Sequence, residues 1–404
     1  MNKIFDTAAF RIGLRVFITI ILFFNIFIIN LAVNAEEEPG KKQITKEFYT
    51  SDEWYQSYFN YSTETLDKSK IPVEAKGLYL TGNTAGGPKF DQIIDLLNKT
   101  ELNSLVIDVK QDSGYITYKS NVKEVNEIKS DRITFIKDID KLMHKAKENN
   151  IYTIARIVTF KDPFYAGSKP EIAMQKKNGG VWKDRSGVIW VDPYNKTVWD
   201  YNIAIAKEAA EKGFDEIQFD YVRFPENGKK VDLEVAFNNP ENRSKAQNIA
   251  DFLAYAKEQL KDYPVFISAD VFGLTTTVVD DMGIGQQWEL ITPVVDYISP
   301  MMYPSHYANR TYGLPVPDQY PYETIKFGLI DALSKNKKVA EQQVDVSTIR
   351  PWYQDFTATW VKGHISYGSK EVSQQIQAGY DLGVRQYMIW DSKNVYSQKA
   401  WLKE

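Results

Sequence analysis

Residues 216–224 read EIQFDYVRF, and this stretch decides the fold class. Its apolar and polar side chains alternate with a period of two, which is the spacing of a β-strand. We expect Phe219 and Tyr221 to face a layer of helices on one side of the strand. Gln218 and Asp220 then face the other side. In a parallel barrel such a strand is buried on both faces, with one face toward the helices and the other toward the barrel interior.

Helical patterns flank this strand. In residues 197–213 apolar side chains recur three or four positions apart, and Gly213 supplies a C-terminal cap. Residues 244–260 repeat the spacing after Ser244, a residue type typical of helix N-caps. Weaker patterns of the same kind occur in residues 90–97, 135–149, 322–333 and 371–382.

Strand and helix patterns alternate from residue 75 onward. The strand candidates are residues 77–81, 104–110, 152–158, 216–224, 265–272, 296–303, 349–356 and 386–390. An open doubly wound sheet is the alternative, but no strand is followed by a GxGxxG or GxxxxGK phosphate loop. The eight repeats therefore predict an α/β protein with a (β/α)8 TIM barrel over residues 75–404, a fold that typically needs ~250 residues plus insertions.

The N-terminus predicts the compartment. Residues 1–35 combine three early basic residues, an apolar run and small residues before position 35, which are the parts of a secretory signal peptide. The alternative is a retained membrane anchor, since the run approaches the ~20 residues that span a bilayer. Residues 36–74 read as a charged linker and an aromatic N-terminal extension. In both cases we expect the barrel to be secreted or cell-surface associated, outside the cytoplasmic membrane.

Composition excludes several classes of protein. The chain has no cysteine, which rules out disulfides and thiolate chemistry, and its net charge of −4 gives no sign of a nucleic-acid partner. Its three histidines lack the spacing of a transition-metal site, and no Gly-x-Ser-x-Gly elbow occurs. We therefore expect no cofactor and no metal. The alternative is a Ca²⁺ bound by the carboxylates of Asp112, Asp280 and Asp281 in or near loops, although no EF-hand-like spacing supports it. The aromatic content of 14% suits a cleft that stacks sugar rings.

Ionisable side chains inside the predicted strands are informative, because burying an unpaired charge is costly. Period-two alternation places Asp220 and Asp270 inward, together with Asp108, Lys110 and Arg156. We expect these groups to converge at the barrel mouth, where neighbouring carboxylates push each other's pKa values apart. The alternative is a layer of buried ion pairs that neutralise one another, although such pairs stabilise only weakly.

Paired carboxylates indicate glycoside hydrolysis, which usually needs one acid and one nucleophile or base. Asp220 and Asp270 lie on adjacent predicted strands, so we predict them as the catalytic pair, with Asp220 as nucleophile or base. The predicted substrate-binding residues lie in strands or in the loops that follow them: Asp108, Lys110, Arg156, Trp190, Asp192, Arg223, Tyr303, His306, Trp390 and Asp391.

Several of these segments resemble successive blocks of one bacterial family, the glycoside hydrolase domain family formerly called DUF4015. The blocks are GLYLTG at 77–82, VIDVK at 106–110 with GYI at 114–116, ARIVTFKD at 155–162, WVDPY at 190–194 and FDYVRFP at 219–225. The resemblance covers most of residues 75–391, and the FDYVRFP block is its most specific part. It implies a TIM barrel distantly similar to α-amylase-like glycosidases.

In those related barrels a nucleophilic Asp ends the fourth strand, and Asp220 corresponds to it. Many of them carry a Glu acid on the fifth strand, where this sequence has Asp270 instead. The prediction is thus an extracellular glycoside hydrolase acting on a polysaccharide or oligosaccharide, with membrane contact only through an uncleaved N-terminal segment. A non-catalytic glycan-binding barrel at the cell surface is the first alternative, and a structural protein of the envelope or spore coat is the second.

Overall fold

The computed structural model describes Lys70 and residues 72–402. The predicted signal segment, residues 1–35, and nearly all of the predicted linker, residues 36–74, lie outside the described residues. Among the residues that are described, no helix is both long and apolar enough to cross a bilayer.

Within the described chain, eight parallel strands close into a barrel, as the sequence predicted. Each strand pairs with the next along the chain, and the last pairs with the first. The two-residue segment Thr348–Ile349 also pairs with the sixth strand, just before the seventh begins. The strands are β1 (Lys76–Leu80), β2 (Ser104–Lys110), β3 (Tyr152–Val158), β4 (Glu216–Asp220), β5 (Phe266–Phe272), β6 (Tyr297–Met301), β7 (Trp352–Gln354) and β8 (Tyr387–Trp390).

Helices connect the strands and cover the outside of the barrel. Ser244 caps the helix Lys245–Gln259 by accepting from the Gln247 N–H, and Gly213 adopts a φ of 93° just beyond the helix Lys196–Glu211. The other helices are Gly82–Ala85, Lys89–Asn98, Lys123–Ile128, Ile139–Glu148, Pro163–Ser168, Gly228–Glu234, Trp288–Ile291, Pro321–Ala340 and Ser369–Tyr380. The long loops after β3 and β4 are joined by a short antiparallel pair, Gln175–Lys176 with Val235–Ala236.

Strand β4 ends four residues earlier than its sequence pattern predicts. The Tyr221 N–H donates to Asp220 Oδ1 at 2.6 Å, and Tyr221 takes a left-handed φ of 47°. This conformation is rare for a bulky residue and breaks the strand. The alternation therefore stops at Asp220. The predicted position of Tyr221 against the helix layer is wrong, because its ring lines the barrel mouth instead.

Strand β2 contains an irregularity that overturns the predicted orientation of Lys110. Asp108 pairs with Arg156, but Lys110 pairs with the next residue, Ile157, so a bulge lies between them. A bulge adds one residue and reverses the side-chain parity beyond it. Lys110 consequently points away from the mouth. Its amine donates to Asp162 Oδ2 at 2.9 Å and to Asn202 Oδ1 at 2.7 Å on the helix side.

A buried ion pair closes the opposite end of the barrel. Arg350 Nη1 lies 2.8 Å from Oε2 of Glu216, the first residue of β4, and both side chains are fully buried. The hydroxyl of Tyr152, which begins β3, donates to the same carboxylate at 2.9 Å. The Arg350 guanidinium lies 3.6 Å from the ring centroid of Tyr297. These contacts compensate both buried charges, so the pair has a structural role.

Substituting one member of this pair should destabilise the barrel strongly. We expect Arg350→Leu to lower the free energy of unfolding by about 3–5 kcal/mol, because Glu216 would keep a buried charge without its cation. Urea unfolding followed by circular dichroism measures this change. The control is Lys123→Ala, which removes an exposed pair with Glu127 at 3.6 Å and should cost at most ~1 kcal/mol. Equal losses in the two variants would contradict a structural role for the buried pair.

Candidate active site

A cavity of about 430 Å³ opens at the barrel mouth, at the carboxyl ends of the strands. This volume lies in the range of small-molecule binding sites, and this face of a TIM barrel carries the active site in characterised enzymes. Both predicted catalytic residues line it. So do five of the predicted substrate-binding residues: Arg156, Arg223, Tyr303, His306 and Trp390.

Asp220, the last residue of β4, is held by Arg156 from β3. The Nε and Nη2 groups of Arg156 donate to Asp220 Oδ2 at 2.8 and 2.6 Å. Nη1 of the same guanidinium donates to Asp108 Oδ1 at 2.7 Å, and the Tyr79 hydroxyl donates to Asp108 Oδ2 at 2.7 Å. Four strands, β1 to β4, thus contribute to one charge-assisted network. The network fixes the Asp220 carboxylate while leaving it on the cavity wall.

Asp270, on β5, is in a different environment. It is 2% exposed, and the only described hydrogen bond to its carboxyl group is from Trp352 Nε1, at 2.7 Å to Oδ1. Burial raises the pKa of Asp270 well above its usual value, and the negative charge of Asp220 raises it further. Asp270 therefore holds its proton under conditions in which exposed carboxyl groups are ionised.

The two carboxyl groups lie side by side on the sheet. Gln218 pairs with Ser268 and Phe219 with Ala269, so the register brings Asp220 next to Asp270. Adjacent strands are ~4.8 Å apart, and side chains two residues further along point to the same face. The arrangement places a carboxyl group that is held by a cation beside a carboxyl group whose pKa is raised by burial.

Asp112, in the loop after β2, adds a third carboxylate to the cavity wall. It accepts from Arg156 Nη2 at 3.0 Å and from Lys161 Nζ at 3.3 Å. Burial raises the pKa of Asp112, but the charges of Arg156 and Lys161 outweigh this effect and leave the pKa below its usual value. Asp112 is thus an ionised, half-exposed group that a substrate hydroxyl can reach.

Aromatic rings form the remaining walls. Trp390 stacks on Tyr79 with ring centroids 3.9 Å apart and meets Trp352 edge-on at 5.7 Å. On the other side Tyr303 contacts His306 at 5.1 Å. His306 lies at the rim with Nδ1 3.0 Å from Ser305 Oγ, and partial desolvation lowers its pKa, which favours the neutral imidazole. Such rings suit the faces of a sugar.

The other five predicted binding residues do not line the cavity. Asp108 lies behind Arg156, where it supports the guanidinium. Trp190 is 3% exposed and lies behind Arg223, with its indole N–H on Asp184 Oδ2 at 3.0 Å. Asp192 accepts backbone N–H groups from Tyr194 and Asn238, and Asp391 accepts one from Val395. The carboxylates of Asp192 and Asp391 thus hold loop backbone in place. Their predicted role in substrate binding is not supported, and Lys110 lies on the helix side.

Several residues at this site are not among those predicted from the sequence. Glu226 lines the cavity from the loop after β4, and Phe272 ends β5 on its wall. The period-two alternation of β7 places Trp352 inward, and that signal was available. Asp112, Tyr221 and Glu226 follow strands that have already ended, so no strand parity could have located them.

No group of three or more His, Cys, Asp or Glu side chains that could hold a metal ion occurs in the described part of the chain. Asp280 and Asp281, which lie in the loop after β5, accept backbone N–H groups of their own turn.

A family model described as "Putative glycosyl hydrolase domain" (DUF4015) matches residues 77–396. The chain belongs to this family. The resemblance found in the sequence is therefore confirmed, and with it the assignment to a glycoside hydrolase domain. Comparison with curated proteins finds no significant match.

Two solved structures with TM-scores above 0.5 show the same barrel. The PgaB (BpsB) glycoside hydrolase domain from Bordetella bronchiseptica aligns with a TM-score of 0.57 and 13% identity, over 80% of this chain and 95% of that one. The α-L-fucosidase isoenzyme 2 from Paenibacillus thiaminolyticus aligns with a TM-score of 0.53 and 12% identity, over 81% and 48%. A hypothetical protein from Ruminiclostridium thermocellum is 44% identical over 51% of this chain and 98% of its own, with a TM-score of 0.44.

The raised pKa of Asp270 predicts a stability cost at neutral pH. Above about pH 4 the unfolded chain releases a proton that the folded protein keeps, so stability falls as the pH rises toward the folded pKa. Asp270→Asn removes this loss and keeps an acceptor for Trp352. We expect its Tm to exceed that of the wild type by about 2 °C or more near pH 7, with a smaller difference near pH 4. Scanning calorimetry at both pH values measures this. The control is Asp262→Asn, at an exposed position, which should leave Tm unchanged. If the Tm of Asp270→Asn lay below that of the wild type at both pH values, the raised pKa of Asp270 would be refuted as a cost to stability.

Proposed function

We propose that this protein is an extracellular glycoside hydrolase that cleaves glycosidic bonds in a polysaccharide, with Asp270 as general acid and Asp220 as nucleophile. The observation that carries the proposal is the contrast between the two neighbouring carboxyl groups. Arg156 compensates the charge of Asp220, whereas burial keeps the proton on Asp270. An acid and a carboxylate at one cavity are the groups that glycoside hydrolysis requires. The extracellular location rests on the signal-like sequence of residues 1–35.

The proposed reaction follows from the protonated state of Asp270 and the ionised state of Asp220. Asp270 donates its proton to the glycosidic oxygen as the bond to the leaving sugar breaks, and Asp220 attacks the anomeric carbon to form a covalent glycosyl ester. Asp270, now ionised, takes a proton from a water molecule, and the resulting hydroxide displaces Asp220. Arg156 positions Asp220 for attack and stabilises it as the leaving carboxylate in the second step.

The spacing of the strands favours retention of the anomeric configuration. Retaining glycosidases hold their carboxyl groups ~5–5.5 Å apart, whereas inverting ones need ~6.5–9.5 Å to admit a water molecule. Asp220 and Asp270 follow in-register positions on adjacent strands, which are ~4.8 Å apart. Glu226 also lines the cavity, but its side chain is 71% exposed, so it lacks the burial that would keep it protonated.

Turnover on a panel of polysaccharides tests the proposal. We expect the full chain to release reducing ends from at least one glycan, and Asp220→Asn and Asp270→Asn each to lower kcat by at least ~10³-fold, because each removes a group that acts in the transition state. Proton NMR of the first product should show the anomer of the substrate. Glu226→Gln should keep most of the activity, since the mechanism gives Glu226 no proton to transfer.

The alternative is a barrel that binds glycan without cleaving it, and the pairing of Asp220 with Arg156 favours it, since a tightly held carboxylate is a weaker nucleophile. Saturable binding without turnover on any glycan, unchanged in both Asp→Asn variants, would establish this alternative. Turnover that survives Asp270→Asn would instead refute the assignment of the acid.

The pH dependence of kcat/KM should reveal the pKa of the general acid. Asp270 must be protonated to act, so activity falls as the pH rises through its raised pKa. The hydrogen bond from Trp352 stabilises the ionised form and opposes that rise. We expect Trp352→Phe to move the alkaline limb of kcat/KM to higher pH. Trp401→Phe, whose indole N–H donates to Tyr387 far from the cavity, should leave the limb in place. An unshifted limb in Trp352→Phe would exclude Asp270 as the group that titrates.

A further inference from the structure

Arg223 is a buried cation on the cavity wall with a weak counter-charge. Its side chain is 5% exposed, and its ion pair is with Glu226 at 3.4 Å, whose side chain is 71% exposed. It also donates from Nη1 to the Phe224 carbonyl at 3.0 Å. These two hydrogen bonds use two of the five N–H groups of a guanidinium. Burial without a close carboxylate lowers the pKa of Arg223.

The other buried cations of the described chain are paired differently. Lys110, Arg156 and Arg350 each hold a buried carboxylate within 2.9 Å. Lysine and arginine are rarely buried unless paired, because an uncompensated buried charge is costly. Among the buried Lys and Arg of Lys70 and residues 72–402, Arg223 alone has no buried carboxylate partner. Packing of the fold therefore does not account for its charge.

Three aromatic rings hold the Arg223 guanidinium. Its Cζ lies 5.3 Å from the ring centroid of Trp190, 5.0 Å from that of Tyr221 and 4.6 Å from that of Phe272. Trp190 is itself fixed by its hydrogen bond to Asp184. Aromatic contacts on several sides restrict a guanidinium, so that it loses little freedom when it binds a planar anion. The arginine is positioned before any ligand arrives.

We infer that Arg223 binds a carboxylate on the substrate, so that the preferred glycans are acidic polysaccharides whose sugars carry a carboxyl group. The inference rests on the proposed function and specifies its substrate class. A guanidinium matches a carboxylate with two parallel hydrogen bonds. The hydroxyl groups of a neutral sugar would leave the buried charge uncompensated. Glu226 is exposed, so it can turn into solvent when the substrate carboxylate takes its place.

Binding of matched saccharides tests this inference without depending on turnover. The probes are oligosaccharides of glucuronic, galacturonic, mannuronic and muramic acid, each with its carboxyl-reduced neutral counterpart, and a sulfated neutral oligosaccharide. Dissociation constants are measured by calorimetry on the full chain with Asp220→Asn, which blocks hydrolysis. We expect at least one acidic probe to bind about 10-fold or more tightly than its reduced counterpart. Adding Arg223→Gln should bring that ratio close to one.

Two further variants control for charge and geometry. Arg385→Gln removes an exposed arginine at the opposite end of the barrel and should keep the wild-type ratio. Arg223→Lys keeps the charge but loses the planar guanidinium that donates two parallel hydrogen bonds. It should therefore retain only part of the preference for acidic probes. Circular dichroism confirms folding of each variant. The inference would be overturned if the preference for acidic probes persisted in Arg223→Gln, or if acidic and reduced probes bound equally. It would also be overturned if only the sulfated probe bound, or if no acidic probe bound.

Turnover by the protein with Asp220 intact separates this inference from the proposed function. If acidic probes bind through Arg223 but no glycan is cleaved, the carboxylate site stands and the hydrolase proposal fails. If glycans are cleaved through Asp220 and Asp270, but acidic probes and their carboxyl-reduced counterparts bind equally, the hydrolase proposal stands and the carboxylate site fails.

Discussion

The barrel mouth depends on the guanidinium of Arg156. It reaches from β3 to Asp108 on β2, to Asp220 on β4 and to Asp112 in the loop after β2. One cation therefore compensates most of the negative charge that the strands bring together. Asp270 forms no ion pair with Arg156, and burial raises its pKa. The difference between the two candidate catalytic groups thus follows from the reach of a single side chain.

The two ends of the barrel use buried charge differently. At the amino-terminal ends of the strands, Glu216 and Arg350 satisfy each other at 2.8 Å, with further contacts from neighbouring side chains. Such a pair tolerates substitution poorly, because removal of either residue leaves the other as a buried charge without a counter-ion. At the carboxyl ends the charges are compensated incompletely and a cavity opens beside them. This matches the division between stability and function that TIM barrels generally show.

Sequence periodicity predicted the barrel, because buried strands and amphipathic helices impose periods that local residues reveal. It placed Asp220, Asp270 and Arg156 correctly at the mouth for the same reason. It failed where the backbone departs from the regular strand, at the bulge before Lys110 and at the left-handed Tyr221. Loop residues are positioned by contacts distant in sequence, such as the Asn238 N–H on Asp192, and no local pattern carries that information.

A layer of mutually neutralising ion pairs was the structural alternative for the charges at the mouth. Such a layer would leave every buried charge with a buried partner. The mouth leaves two groups without one: Asp270 lacks a cation, and Arg223 lacks a buried anion. They do not form an ion pair with each other, although both line the same cavity. Folding alone gives no reason to maintain a carboxyl group without a cation and a cation without a buried anion in one cavity. A substrate that accepts the proton of one and supplies the counter-charge of the other accounts for both.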